Sequence, residues 1–176
     1  MNAADARLVD PGIEWEAGYR EMAAEYREDR IQVLQDVDDF AAHVQRLRDQ
    51  ARGVGLAKDY VPANTYWLVR KDGRVLGLSN LRHRLTSALE DFGGHIGYGI
   101  RPSERRKGYG TLILGLTLEK ARGLGLGRVL LTCDPENVGS ARIIQSNGGV
   151  LASESYSEHA KRVTSRYWIE LGRSPT

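Results

Sequence analysis

Residues Arg105 to Gly110 spell RRKGYG, and Thr111 leads on into LILGLTLEKARGLGL, whose apolar residues recur at helical spacing. A loop that opens directly into a helix in this way can hold an anion. Gly108 and Gly110 have no Cβ to keep a ligand off the backbone amides, and a helix start carries about half a positive charge. Arg105, Arg106 and Lys107 add full charges on the approach. The spacing predicts a diphosphate site whose hydrogen bonds come from the backbone of Lys107, Gly108, Tyr109, Gly110 and Thr111, helped by Arg105 or Arg106.

Several elements must position this loop. Ile13 to Asp29 and Val37 to Ala51 carry Tyr19, Met22, Ala23 and Tyr26 and similar groups at helical intervals, which predicts two helices. Thr65 to Val69 is dense in β-branched and aromatic residues, KDGR makes a turn, and Val75 to Leu81 resumes an extended pattern, so a hairpin is predicted. His95 to Ile100 is a third strand, stopped by Pro102, and Val129 to Cys133 a fourth, apolar enough to be buried. Val150 to Tyr156 and Arg162 to Leu171 form a closing antiparallel pair. GLGLG, Gly123 to Gly127, follows a helix and precedes a strand, the reverse of a dinucleotide loop, and reads as a helix cap and turn. The order predicts an α+β fold, with a mixed, mostly antiparallel, twisted sheet of six to seven strands and about four flanking helices, rather than a regularly alternating Rossmann fold.

With 176 residues, 41% of them hydrophobic, the chain can bury the core of one domain spanning 1–176. Within it, 1–64 holds an N-terminal strand and helices, 65–149 the sheet and the anion site, and 150–176 the closing strands. Twenty-five basic against 23 acidic side chains leave a net charge of +2, too balanced for general nucleic-acid or membrane binding. MNAADARLVDP does not read as a secretory signal, and no apolar run approaches the roughly 20 residues that span a bilayer. A soluble, cytoplasmic protein is the expectation. The four histidines, His43, His83, His95 and His159, lack metal-ligand spacing, and the lone Cys133 offers neither a disulfide nor a cysteine cluster, so no metal is expected.

GGHIGYGIRPSERRKGYGTLILGLTLEKA resembles the acyl-CoA-binding core of the GNAT superfamily of N-acyltransferases, whose glycine pattern falls here on Arg105, Gly108 and Gly110. LLTCDPENVGSARIIQSNGG, from Leu130 to Gly149, resembles the strand, loop and helix that follow in that superfamily. VPANTYWLV, LRHRL and the terminal RYWI also resemble a subgroup of predicted acetyltransferases. The resemblance implies acetyl-CoA as co-substrate and transfer of its acetyl group to a primary amine, either a small molecule or a protein, by direct attack in a ternary complex. It implies main-chain contacts to the thioester arm from Ile100 and Arg101 and polar contacts from Asn137 and Ser140. It also implies that residues 1–64 shape the acceptor side and that edge strands can pair two subunits into a homodimer. Gly97 and Gly99 suit close backbone approach on the strand before the loop, where an amide could polarise the thioester carbonyl.

An ammonium acceptor must lose a proton before it attacks, so a base or a water chain is needed. His95 is the first candidate, since it opens the central strand near where relatives place a base and an unperturbed imidazole titrates near neutrality. His83 is the second, with Glu90 and Asp91 behind it. Many relatives carry a tyrosine seven residues after the asparagine to protonate the leaving thiolate; here that residue is Ile144. Tyr98, Tyr109 or Tyr156 could take its place, or the thiolate could leave unaided, its pKa being about 8.5. Cys133 lies in the apolar VLLTC strand and reads as an inert thiol rather than an acyl-carrying nucleophile. The departure at Ile144 keeps open a second reading, an acyl-CoA-binding or sensor domain without turnover.

Overall fold

A computed structural model describes residues 5–28 and 37–172. Four strands form one antiparallel sheet in the order β1 (Ala6–Val9), β2 (Ala63–Arg70), β3 (Val75–Arg82), β4 (Ile96–Ile100). Three more form a second antiparallel sheet in the order β5 (Arg128–Cys133), β7 (Arg162–Glu170), β6 (Val150–Ser157). The seven strands match the expected content, but they divide into two sheets. The sheets meet where the backbone N–H of His95 donates to Leu130 O at 2.7 Å. β4 and β5 form no ladder with each other; at this junction the His95 side chain adds a second bond, Leu130 N–H donating to its Nδ1 at 2.9 Å.

The predicted hairpin forms, its first strand extended by two residues at the start and one at the end and its second by one at the end, pairing Trp67 with Leu78 and Thr65 with Asn80. The first predicted helix begins as a 3-10 turn, Ile13–Trp15, before α1 (Glu16–Glu28); its predicted last residue, Asp29, lies outside the described residues. The second starts later than its apolar pattern, at α2 (Phe40–Ala51), because Asp39 caps it by accepting from Ala42 N–H at 2.9 Å. A short α3 (Ser87–Asp91), capped by Thr86, fills the connection before β4. Then follow α4 (Tyr109–Gly123) and α5 (Val138–Ser146).

Side-chain parity assigns the layers. Tyr19, Met22, Tyr26, Phe40 and Val44 of α1 and α2 pack on Trp67 and Leu78 over one face of the first sheet. On the opposite face, Leu114 and Leu118 of α4 join Tyr66, Leu81 and Ile96 to Leu131, Ile144 and Tyr167, so a single core runs beneath both sheets. Burying the 13 residues of that cluster, at about 25 cal/mol per Å² of apolar surface, is what fixes the two sheets side by side. The GLGLG segment is the expected cap, with Leu124 N–H returning to Lys120 O and Gly125 at φ +78°.

Candidate active site

The anion loop has the shape its residues require. Gly108 is the N-cap of α4 at φ +84°, a left-handed conformation that strains any side chain, and an ideal Cβ there would meet nothing within 4 Å. The first helical bond runs from Leu112 N–H to Gly108 O, so the backbone amides of residues 106–111 have no hydrogen-bond partner among the described residues. A diphosphate is an acceptor of the right chemistry for that row. Gly110 answers a different need: a Cβ there would stand 2.5 Å from Ile143 Cδ1, so its absence lets α5 lie against α4.

Of the three cations, two border the cleft. Arg105 donates from Nε to Ile100 O at 3.2 Å and reaches over the Tyr26 ring, and exposed Arg106 lines the opening. Lys107 turns away, donating to Ser103 O at 2.8 Å and to Glu104 Oε2 at 3.0 Å, because the buried Glu104 carboxylate needs cations that it also draws from Arg74. The Tyr109 side chain likewise points inward, buried with Leu68, Leu76 and Ile113, which removes it from the cleft as a proton donor.

Beside the loop lies a cleft of about 550 Å³ between β4, the start of α4 and the start of α5. Tyr98, Gly99 and Ile100 form one wall, Asn137, Ser140 and Ile143 the other, and Tyr26 of α1 overhangs the rim. The β4 backbone sorts itself by alternation. Arg101 N–H donates to Leu76 O at 2.8 Å, which commits the amides of Arg101, Gly99 and Gly97 to β3 and turns those of Tyr98 and Ile100 toward β5. The expected Ile100 contact therefore fits this edge and the expected Arg101 contact does not. Arg101 instead buries its guanidinium against α1, with Nε on Glu25 Oε1 at 2.6 Å and Nη2 on Glu21 Oε2 at 3.2 Å.

Across the cleft, Tyr98 and Ser140 share a hydrogen bond at 3.1 Å. Burial pushes the Tyr98 phenol up to about 12, so it keeps its proton at neutral pH. Burial raises the pKa of the Cys133 thiol, against a smaller lowering from the Ser140 hydroxyl, so it stays protonated. Asn137 is occupied as the cap of α5, accepting from Ser140 N–H at 3.0 Å. Ile144 is fully buried in the core, and Tyr156 is exposed on β6.

The structure does not bring the proposed bases together. His95 is 7% exposed; with Nδ1 accepting from Leu130, its proton sits on Nε2 and no lone pair is left to take another. Burial, with the charges of Arg82 and Arg128, brings its pKa down to about 4. His83 donates from Nε2 to Asn64 Oδ1 at 2.6 Å, and burial lowers its pKa too. Asp91 binds the Ser157 hydroxyl, His159 and Arg166, a clasp from α3 to the β6–β7 turn, while its neighbour Glu90 contributes only its carbonyl to Arg166.

Two features escaped the reading of residue types. Tyr26 read as core of a helix, and its place over Gly99 depends on how α1 docks. The Ser165 hydroxyl, paired across strands with Cys133, donates to Glu154 Oε2 at 2.7 Å, which sets a carboxylate two strands away on the same face. Strand alternation in Cys133, Ser165 and Glu154 carried that signal once the register was known.

A family model described as an acetyltransferase (GNAT) domain matches residues 14–150. No curated protein sequence matches. Among solved structures, the microcin C7 self-immunity acetyltransferase MccE, in complex with acetyl-CoA and AMP, superposes with a TM-score of 0.69 at 12% identity over 96% of this chain and 93% of that one. A spermidine N-acetyltransferase SpeG chimera from Vibrio cholerae and hSSAT gives 0.66 at 14%, over 95% and 96%. RimL, a ribosomal L7/L12 alpha-N-protein acetyltransferase in complex with coenzyme A, gives 0.66 at 15%, over 96% and 95%. At such identities these likenesses establish a shared fold.

Proposed function

Since the chain belongs to the acetyltransferase (GNAT) family, we propose that it moves an acetyl group from acetyl-CoA to a primary amine by direct attack in a ternary complex. One observation carries this reading: six successive backbone amides, residues 106–111, lie without partners at the start of α4, at the mouth of a cleft walled by the open edge of β4. The amides and Arg106 hold the diphosphate. The outward amides of Tyr98 and Ile100 bind the thioester arm as an added strand would, and that of Tyr98 is placed to stabilise charge on the thioester oxygen. The Tyr98 phenol, oriented by Ser140, donates a proton to the departing thiolate. His95 holds β4 and β5 together at the closed end of the cleft and takes no proton from the acceptor. Glu154, which accepts from Ser165 across the strand from Cys133, is the carboxylate that receives it, by way of water.

The donor arm and the acceptor separate in one assay. The protein is incubated with acetyl-CoA and an amine panel while free thiol is followed. The panel includes a polyamine and a peptide N-terminus, since spermidine and a ribosomal protein terminus appear in the names of similar folds. Turnover with any amine supports the acetyltransferase. Tight CoA binding with no turnover favours the sensor reading that the isoleucine at 144 leaves open.

A further inference from the structure

The first sheet's glycines divide by what a side chain would do at each. At Gly99 a Cβ would stand 2.7 Å from the Tyr26 hydroxyl, and at Gly77 it would run into the backbone of β4, so both are required by packing. Gly97 has neither reason. Its φ lies outside the left-handed region, and an ideal Cβ there meets no heavy atom within 4 Å among the described residues. A glycine inside a strand weakens it, and close approach of another group to the backbone is one reason it is found there.

The register says which face is open. Gly97 pairs with Asn80, and Asn80 with Thr65, so the three form one row across β4, β3 and β2. The row beside it, Gly99, Leu78 and Trp67, lies under the cover of α1 and α2, whose last cleft-side group is Tyr26. On the other side Arg82 is fastened to the carbonyls of Gly93 and Gly94 at 3.2 and 3.0 Å. The Thr65–Asn80–Gly97 row is therefore a polar trough between two covered rows. It reaches the β4 edge next to the outward amide of Tyr98, on the sheet face opposite α4. Its own side chains are tied to each other, Asn80 Nδ2 donating to Thr65 Oγ1 at 3.2 Å.

We propose that this trough is the acceptor passage and that Gly97 determines its width: the amine reaches the thioester over Gly97, from the face opposite the donor loop. The inference rests on the acetyl-transfer reading. Its test needs no known acceptor. Gly97→Cys places a nucleophile in the trough, and Gly127→Cys, at an exposed glycine that also has open space and no left-handed φ, is the control. With acetyl-CoA, the introduced thiol gives up its proton, its sulfur bonds the acetyl carbon, the carbon–sulfur bond to CoA breaks, and CoA leaves as the free thiol. Peptide mass mapping separates an acetyl adduct at 97 from one at Cys133. Acetylation at 97 at least about tenfold faster than at 127 is expected. Equal rates, with acetyl-CoA binding intact by calorimetry, overturn the passage and leave the acetyltransferase standing. Loss of acetyl-CoA binding in the unaltered protein overturns the acetyltransferase and the passage together. A second variant, Gly97→Val, is expected to keep acetyl-CoA affinity within about twofold and to lower amine-dependent thiol release at least about tenfold. Undiminished release in that variant also overturns the passage.

Discussion

His95 ties the two sheets together only while it is neutral, and that dependence can be measured. Its pKa is about 4 in the folded protein against an ordinary 6.5, lowered by burial first and then by the charges of Arg82 and Arg128. The unfolded chain therefore binds a proton that the folded one refuses anywhere between these values. The stabilisation is complete above about pH 6.5, falls as pH drops through the unfolded value, and is fully lost below about 4. For one such group the loss between about pH 7.5 and about pH 5 is roughly 2 kcal/mol. His95→Asn keeps an acceptor for Leu130 N–H through its amide oxygen and removes the titration. Urea unfolding of both proteins at the two pH values should show the unaltered protein losing about 2 kcal/mol more than the variant. Parallel losses in the two would refute the claim that this imidazole is held neutral by the fold. If His95 were instead the catalytic base, the same substitution would abolish turnover; retention of most of it is expected here.

Gly108→Val must adopt φ near +84° at a cost of about 1–2 kcal/mol, and the distorted loop should weaken acetyl-CoA binding at least about tenfold in calorimetry. Tyr98→Phe should lower the acetylation rate about tenfold or more at unchanged acetyl-CoA affinity, read by stopped-flow thiol release, and no group of pKa below about 12 should disappear from the pH–rate profile. Glu25→Gln removes the carboxylate from the buried Arg101 and should cost about 1–3 kcal/mol in urea unfolding, less than a full buried-pair loss because Glu21 remains.

Much of the fold was legible because local patterns decided it. Thr65 to Val69, KDGR and Val75 to Leu81 could form little but a hairpin, and Gly108 and Gly110 marked a bared loop opening into a helix. What was not legible depends on partners far along the chain. His95 looked like a base by type and position, whereas its lone pair is claimed by Leu130, 35 residues away. Lys107 looked like an anion ligand until the fold buried Glu104 beside it, and Arg101 looked like a main-chain contact until β3 took its amide. Tyr109 is an intermediate case. Its spacing to Ile113 marks it as a core residue of α4, a signal the surrounding glycine motif obscured.

Ile144 gives the proposed proton path its direction. It is wholly buried, and Gly149 packs so tightly against it that a Cβ at 149 would strike its side chain and carbonyl. A tyrosine there would overpack the core by something like 1–3 kcal/mol. Position 144 thus serves the joint between α5 and the sheet, and in the proposed mechanism the thiolate takes its proton from elsewhere on the cleft wall. We assign it to β4: Tyr98 has the reach to meet Ser140 on α5, and burial keeps its proton in place. The same strand offers the outward amides and, at Gly97, the open approach. In the proposed mechanism, binding of the thioester arm, leaving-group protonation and acceptor entry converge on five residues, Ile96–Ile100. Arg101 secures their far end through Glu25 of α1, and His95 their near end through Leu130. Loosening either end should disturb all three functions at once, whereas Gly97 and Tyr98 substitutions should separate them.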